Sequence, residues 1–151
     1  RMTEMQSALG RYQLKNLSNT SRLRKKNAMH LINKLKDLPC ISFPMTNYEN
    51  IHGFYKLYGY LKSEFIKQSW NRERIMYEIT LKNYPVFTGS CGEIYLEKCF
   101  KKQNIVPSKR LPNAKKLAEE SIVFLIHPTI SEIDMQNYID VIYSVLKKAR
   151  R

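Results

Sequence analysis

The sequence predicts an α/β fold of the α+β kind, with helices packed on a small sheet. Three observations carry this reading. The chain closes on a strongly amphipathic helix: Met135, Tyr138, Ile139, Ile142, Val145, Leu146 and Ala149 recur at helical spacing behind a capping Ser131. Two apolar, aromatic or β-branched runs bounded by breakers, residues 51–61 and 121–126, read as strands. The 151 residues are 43% hydrophobic and 26% charged, which is the balance of a globular domain long enough to bury a core.

In chain order, residues 1–17 form an opening helix. Thr3 followed by Gln6 makes a capping box, and Met2, Met5, Leu9 and Tyr12 recur at helical spacing. A chain that begins inside a helix without a start methionine is expected to be a piece of something longer. Ser18-Asn19-Thr20-Ser21 reads as a polar break, and a second helix is expected over 20–37, with Leu23, Met29, Leu31, Leu35 and Leu38 drifting around its apolar side. After Leu38-Pro39, residues 40–44 read as a short extended piece and 48–50 as loop. Strand 51–61 carries aromatics on both faces, so both faces are expected to be covered. A helix is expected from residue 62 to about 83, a strand over 85–88, and a turn at Gly89-Ser90-Cys91-Gly92 before a helical stretch. Residues 101–110 read as basic loop. Pro112 opens a short helix to 120, and residues 121–126 form a buried strand.

The net charge is +13. It permits nucleic acid, an anionic surface or a phosphorylated substrate. The cations Arg22, Arg24, Lys25, Lys26, Lys34 and Lys36 have no aromatic residue interleaved, so they read as a solvated helix face rather than a base-stacking surface. No apolar run approaches the ~20 residues of a membrane span. A polar, helical start is not a signal peptide, and a cytoplasmic location is expected. Cys40, Cys91 and Cys99 are odd in number and lack CxxC spacing. Neither a disulfide framework nor a zinc site is expected, and the cysteines read as small buried side chains. His30, His52 and His127 are too scattered to suggest a metal cluster.

Self-contained catalytic chemistry is thin. The Gly-Ser-Cys-Gly turn can aim backbone amides at an anion, but it is neither a P-loop nor a nucleophile elbow. Ser90 and His127 have no spacing that supports a hydrolytic pair, and Glu93 and Glu97 read as a surface pair one helical turn apart.

Several separated segments nevertheless share one resemblance. Arg1-Met2-Thr3-Glu4-Met5-Gln6-Ser7-Ala8-Leu9-Gly10-Arg11-Tyr12-Gln13-Leu14, Arg24-Lys25-Lys26-Asn27-Ala28, the block Gly89 to Lys98, and the run Ser121 to Thr129 ending in His-Pro-Thr stand in the order found in one enzyme family. The chain resembles the C-terminal part of the DegT/DnrJ/EryC1/StrS family, nucleotide-sugar aminotransferases that use pyridoxal phosphate on the type I aminotransferase fold. The resemblance implies a C-terminal small domain, with residues 1–37 a helical connector from a large domain and 38–151 an αβ core. It implies a parent enzyme that moves an amino group from an amino acid such as glutamate to a nucleotide-linked keto sugar, for surface polysaccharide or antibiotic sugar biosynthesis. The parent would work as a homodimer and hold pyridoxal phosphate on a lysine of the large domain. This chain alone is then expected to bind no cofactor and to be inactive, with no catalytic residue of its own. Lys56, Lys82 and Lys98 stand in no sequence like the cofactor-lysine site.

The resemblance places Arg1 near the active site as the best candidate for a phosphate or carboxylate contact, and Ser90, Glu93 and Tyr95 near the substrate cleft. The family's commoner Tyr-x-Pro-Leu-His block is replaced here by Gly-Ser-Cys-Gly-Glu-Ile-Tyr. The expected partners are the large domain and a nucleotide-linked sugar, not a membrane or nucleic acid. A basic nucleic-acid-binding module and a non-catalytic partner subunit are the alternative readings.

Overall fold

Helix α1 runs without interruption from Glu4 to Leu35, in a computed structural model that describes residues 1–44, 52–89, 91–103 and 105–151. The expected capping box is present: the Gln6 amide donates to the Thr3 hydroxyl at 3.2 Å, and the Thr3 amide donates to the Gln6 side chain at 2.9 Å. The expected break at Ser18-Asn19-Thr20-Ser21 is absent. The polar side chains there bond back into the helix instead of capping a new one. The Thr20 hydroxyl donates to the carbonyls of Asn16 (3.2 Å) and Leu17 (3.0 Å), and Asn19 accepts from Arg22. Only the last turns of α1 are buried, through Ala28, Leu31 and Leu35.

The sheet has four antiparallel strands, β1 (Ile41–Ser42), β2 (Leu57–Leu61), β3 (Val86–Thr88) and β4 (Ser121–Phe124), in the order β1-β2-β4-β3. Register pairs Ile41 with Leu61, Leu57 with Phe124 and Val86 with Phe124. Alternation then puts Leu57, Leu61, Ile122, Phe124 and Val86 on one face, all buried. Strand β2 is shorter than expected. Ile51 lies outside the described residues, as does the loop expected over 48–50, and 52–56 turn sharply, with Phe54 at φ 45°. Strand β4 also stops earlier than expected, at Phe124.

The long helix expected over 62–83 is not formed. Residues Ser63–Phe65 make one 3-10 turn, the chain then bridges at Ile66 and turns at 68–69, where the Trp70 amide donates to the Lys67 carbonyl at 2.9 Å, and α2 spans Arg72–Thr80 behind Asn71, whose side chain accepts from the Arg74 amide at 2.8 Å. The reason is tertiary. Ile66 pairs with Arg150, and the Lys67 amide donates to the Ala149 carbonyl at 2.9 Å. The backbone of this stretch is thereby committed to the end of the last helix. After β3 come a 3-10 turn (Ile94–Leu96), α3 (Lys98–Lys102) and α4 (Pro112–Glu120).

Helix α5 spans Glu132–Ala149 and buries Met135, Tyr138, Ile139, Ile142, Val145, Leu146 and Ala149, the full set its periodicity predicts. It shares one core with the inner sheet face, α2 and the end of α1. Ser131 caps it, accepting from the Asp134 amide at 3.1 Å. Tyr138 pins it to the sheet. Its hydroxyl donates to the Pro85 carbonyl at 2.7 Å and accepts from the Leu125 amide at 3.2 Å, and burial pushes the phenol well above its ordinary pKa. Tyr138→Phe leaves both backbone groups without that partner. It should cost about 1–3 kcal/mol in urea unfolding, the penalty of an unsatisfied buried polar group.

Candidate functional site

The block that carries Glu93 and Tyr95 is tied to the start of the chain's own α4. The Glu93 side chain retains 10% of its exposure. Its Oε1 accepts from the Tyr95 hydroxyl at 2.6 Å and from Arg110 Nε at 2.9 Å, while Oε2 accepts from Arg110 Nη2. The Tyr95 hydroxyl also accepts from the Leu111 amide at 3.0 Å, at the start of α4. The Arg110 bonds, and then the Tyr95 bond, hold the Glu93 carboxyl below its ordinary pKa. Desolvation, and then the neighbouring carboxylate, pushes Tyr95 up. The three side chains form a clasp that closes the segment between the 3-10 turn and α4.

This clasp has a pH signature. A depressed folded pKa contributes stability fully above the unfolded glutamate value of about 4.3, and that contribution disappears as pH falls through the lower folded value. Proteolysis within residues 97–111 should accelerate below about pH 4. Glu93→Gln, which cannot pair as an anion with Arg110, should be cut equally fast at about pH 3 and about pH 7, on either side of the carboxyl's titration. An unchanged pH dependence in that variant would remove Glu93 as the controlling group.

The other expected site residues do not gather with these two. Arg1 is exposed, ahead of α1. Ser90 lies outside the described residues. Cys91 donates its thiol to Glu97 at 3.1 Å, and that bond is the main cause of a raised thiol pKa. Cys40 is buried as expected, but Cys91 and Cys99 are exposed. Their segment lies on the surface, outside the core formed by the sheet and α5. Glu93 and Glu97 therefore bind different partners and make no carboxylate pair. Among the described residues no group of three His, Cys, Asp or Glu side chains could hold a metal ion, and no helix is long and apolar enough to cross a membrane.

Of the clefts outside the clasp among the described residues, two border the sheet. One, of about 500 Å³, lies between the 66–73 segment and the end of α4, and includes Trp70, Arg72, Glu119 and Glu120. Arg72 is already committed there, to the carbonyls of Ala118 and Ser121 and to Glu73. The second, of about 390 Å³, lies at the Phe124 end of β4 and is bordered by Arg24, Tyr55, Lys56, Phe87 and His127.

The sequence profile of the DegT/DnrJ/EryC1/StrS aminotransferase family matches residues 1–143. The chain belongs to this family. An aminotransferase from Psychrobacter cryohalolentis shares 36% identity and superposes with a TM-score of 0.91, over 99% of this chain and 40% of that one. DesV from S. venezuelae, solved with a ketimine intermediate, is 19% identical with a TM-score of 0.83, over 97% and 37% of the two chains. Helicobacter pylori PseC, an aminotransferase in pseudoaminic acid biosynthesis, is 18% identical with a TM-score of 0.82, over 98% and 38%. The last two likenesses show the fold. No curated protein matches the chain significantly. The chain thus spans about two fifths of the length of the family structures it matches.

Within this DegT-family fold, the resemblance singled out Glu93 and Tyr95 but not Arg110, which lies in a stretch that reads only as basic loop. Arg24 stands in one of the segments that carry the resemblance and Lys56 in the expected strand 51–61, but neither is assigned to a site. They stand far apart in sequence, and no spacing rule joins them.

Proposed function

We propose that this chain is the small-domain portion of a pyridoxal-phosphate-dependent sugar aminotransferase. The enzyme would transfer an amino group from an amino acid such as glutamate to a nucleotide-linked keto sugar, for surface polysaccharide or antibiotic sugar biosynthesis. The observation that carries this is the family match over residues 1–143, joined to 36% identity with the Psychrobacter cryohalolentis aminotransferase across 99% of the chain. Pyridoxal phosphate supplies an electron sink for amino transfer when it is bound to such an enzyme. The residues present here do not fit a complete site for it. No lysine of this chain is buried, whereas a cofactor lysine is a desolvated one. The cofactor lysine is therefore assigned to a large domain, and the isolated chain is inactive in this reading.

The exposed side of α1 supports the same division. Met2, Met5, Leu9 and Tyr12 are each at least 60% exposed and lie on one side of the helix. An apolar face of this kind calls for a partner surface, which we assign to the large domain or to the second subunit of a homodimer. Residues 1–37 then act as the connector and 38–151 as the αβ core, in a cytoplasmic enzyme.

The test has two arms. The isolated chain, mixed with pyridoxal phosphate and reduced with borohydride, should show no single preferred lysine adduct by peptide mapping. The whole protein that contains this chain should transfer nitrogen from glutamate to a nucleotide-linked keto sugar. A unique trapped lysine in the fragment, or no transfer by the whole protein with any such acceptor, would overturn the reading.

A further inference from the structure

The excursion between β3 and β4 has a surface without an interior. It holds a 3-10 turn, α3 and α4, yet none of its described residues from Cys91 to Glu120 is buried. Gly92 lies against Ala118, and Arg72 donates to the Ala118 carbonyl, so the excursion is fastened to the domain along one side of α4. The clasp of Glu93, Tyr95 and Arg110 closes it on itself. Ile94, Ile105, Leu111 and Leu117 are left 45–60% exposed.

Charge is spread just as unevenly. From Lys98 to Lys116 the sequence carries seven cations and no carboxylate, so this one stretch supplies more than half of the net charge of +13. Arg110 and Lys115 pair with Glu93 and Glu119, and Lys116 lies near Glu120. The side chains of Lys98, Lys101, Lys102 and Lys109 have no ion-pair or hydrogen-bond partner among the described residues. The two carboxylates that end α4 border the cleft beside Trp70 and Arg72.

Cations and apolar ends together select the partner. An acidic protein or a nucleic acid would neutralise the lysines and leave the apolar ends in water. Phe100 is the one aromatic residue between Lys98 and Glu120, and it is half-buried, so bases find no ring to stack on. An anionic bilayer meets both features. Its headgroups attract the lysines, its acyl boundary takes the apolar ends, and lysine stems can lie along the interface between them.

We propose that this excursion docks on the surface of an anionic lipid bilayer, with its unpaired lysines against the headgroups and its four apolar side chains at the acyl boundary. The sequence sets a membrane aside for want of a span, and a contact that lies on the surface needs none. The proposal stands independently of the aminotransferase reading.

The test is sedimentation of the protein that contains this chain, at low salt, with vesicles of phosphatidylcholine mixed with phosphatidylglycerol, and separately with vesicles of phosphatidylcholine alone. The mixed vesicles should bind it at least about tenfold tighter. Lys101→Ala and Lys102→Ala should each weaken that binding about fivefold. Ile105→Ala combined with Leu117→Ala should weaken it by about tenfold. Lys147→Ala combined with Lys148→Ala, exposed at the end of α5, should change it by less than about twofold. All six side chains are on the surface, so thermal melts of these variants should match the parent. No preference for the anionic vesicles, or an equal loss on changing Lys147 and Lys148, would overturn the proposal. Vesicle binding untouched by the Ile105 and Leu117 changes would reduce the patch to charge alone. Tighter binding to a DNA duplex or to polyglutamate would give it to that partner instead, and either result also overturns the proposal.

Discussion

Leu146→Ala should lower the unfolding free energy by about 3–4 kcal/mol and the melting temperature by roughly 10 °C. Leu146 has no exposed surface and stands in the row of α5 residues facing the sheet, α2 and the end of α1. Truncation removes its transfer energy and leaves a cavity that three separately anchored elements cannot easily collapse to fill. Ile133 in the same helix is 71% exposed, so Ile133→Ala should change stability by less than about 0.5 kcal/mol. Urea unfolding of the pair decides the matter, and equal effects would mean that α5 is not the centre of the core.

Gly92→Ala should be the most damaging small substitution near the candidate site. A Cβ there would clash with Ala118 Cβ and sit 2.7 Å from Ala118 Cα. The second of these is backbone, so no rotamer change relieves it. Either the turn or α4 must move, at a cost of about 1–3 kcal/mol. The displacement should also loosen the clasp of Glu93, Tyr95 and Arg110, because that clasp joins the same two segments. Ala118→Gly removes the Cβ contact and should recover part of the loss in the double variant, less the ~1 kcal/mol that glycine costs in a helix. Amide exchange at Leu111, whose N–H is held by Tyr95, reports on the clasp directly. Protection that stays at the parent level in Gly92→Ala would show that the turn and the clasp are uncoupled.

Where apolar spacing and burial agreed, the sequence was a sufficient guide. Every apolar position expected to face inward along α5 is buried, and both the Thr3 and Ser131 caps form. The failures have a common cause. Ser, Asn and Thr at 18–21 can cap a new helix or bond back into an old one, and the local sequence does not choose between the two. Phe65, Ile66 and Trp70 have helical spacing, but the backbone of their segment is claimed by Ala149 and Arg150 at the far end of the chain. The candidate site divides in the same way. Glu93 and Tyr95 were visible as part of a motif, whereas their anchor Arg110 and the cleft cations Arg24 and Lys56 meet their surroundings only once the sheet has formed.

The long first helix has a mechanical consequence. It is gripped by Ala28, Leu31 and Leu35, and at 1.5 Å per residue the stretch ahead of that grip reaches about 36 Å. A tilt of about 5° at the grip swings the far end by roughly 3 Å, the length of a hydrogen bond. The helix is thus a lever whose fulcrum lies in the core, and the seating of two leucines against α5 sets where Arg1 arrives.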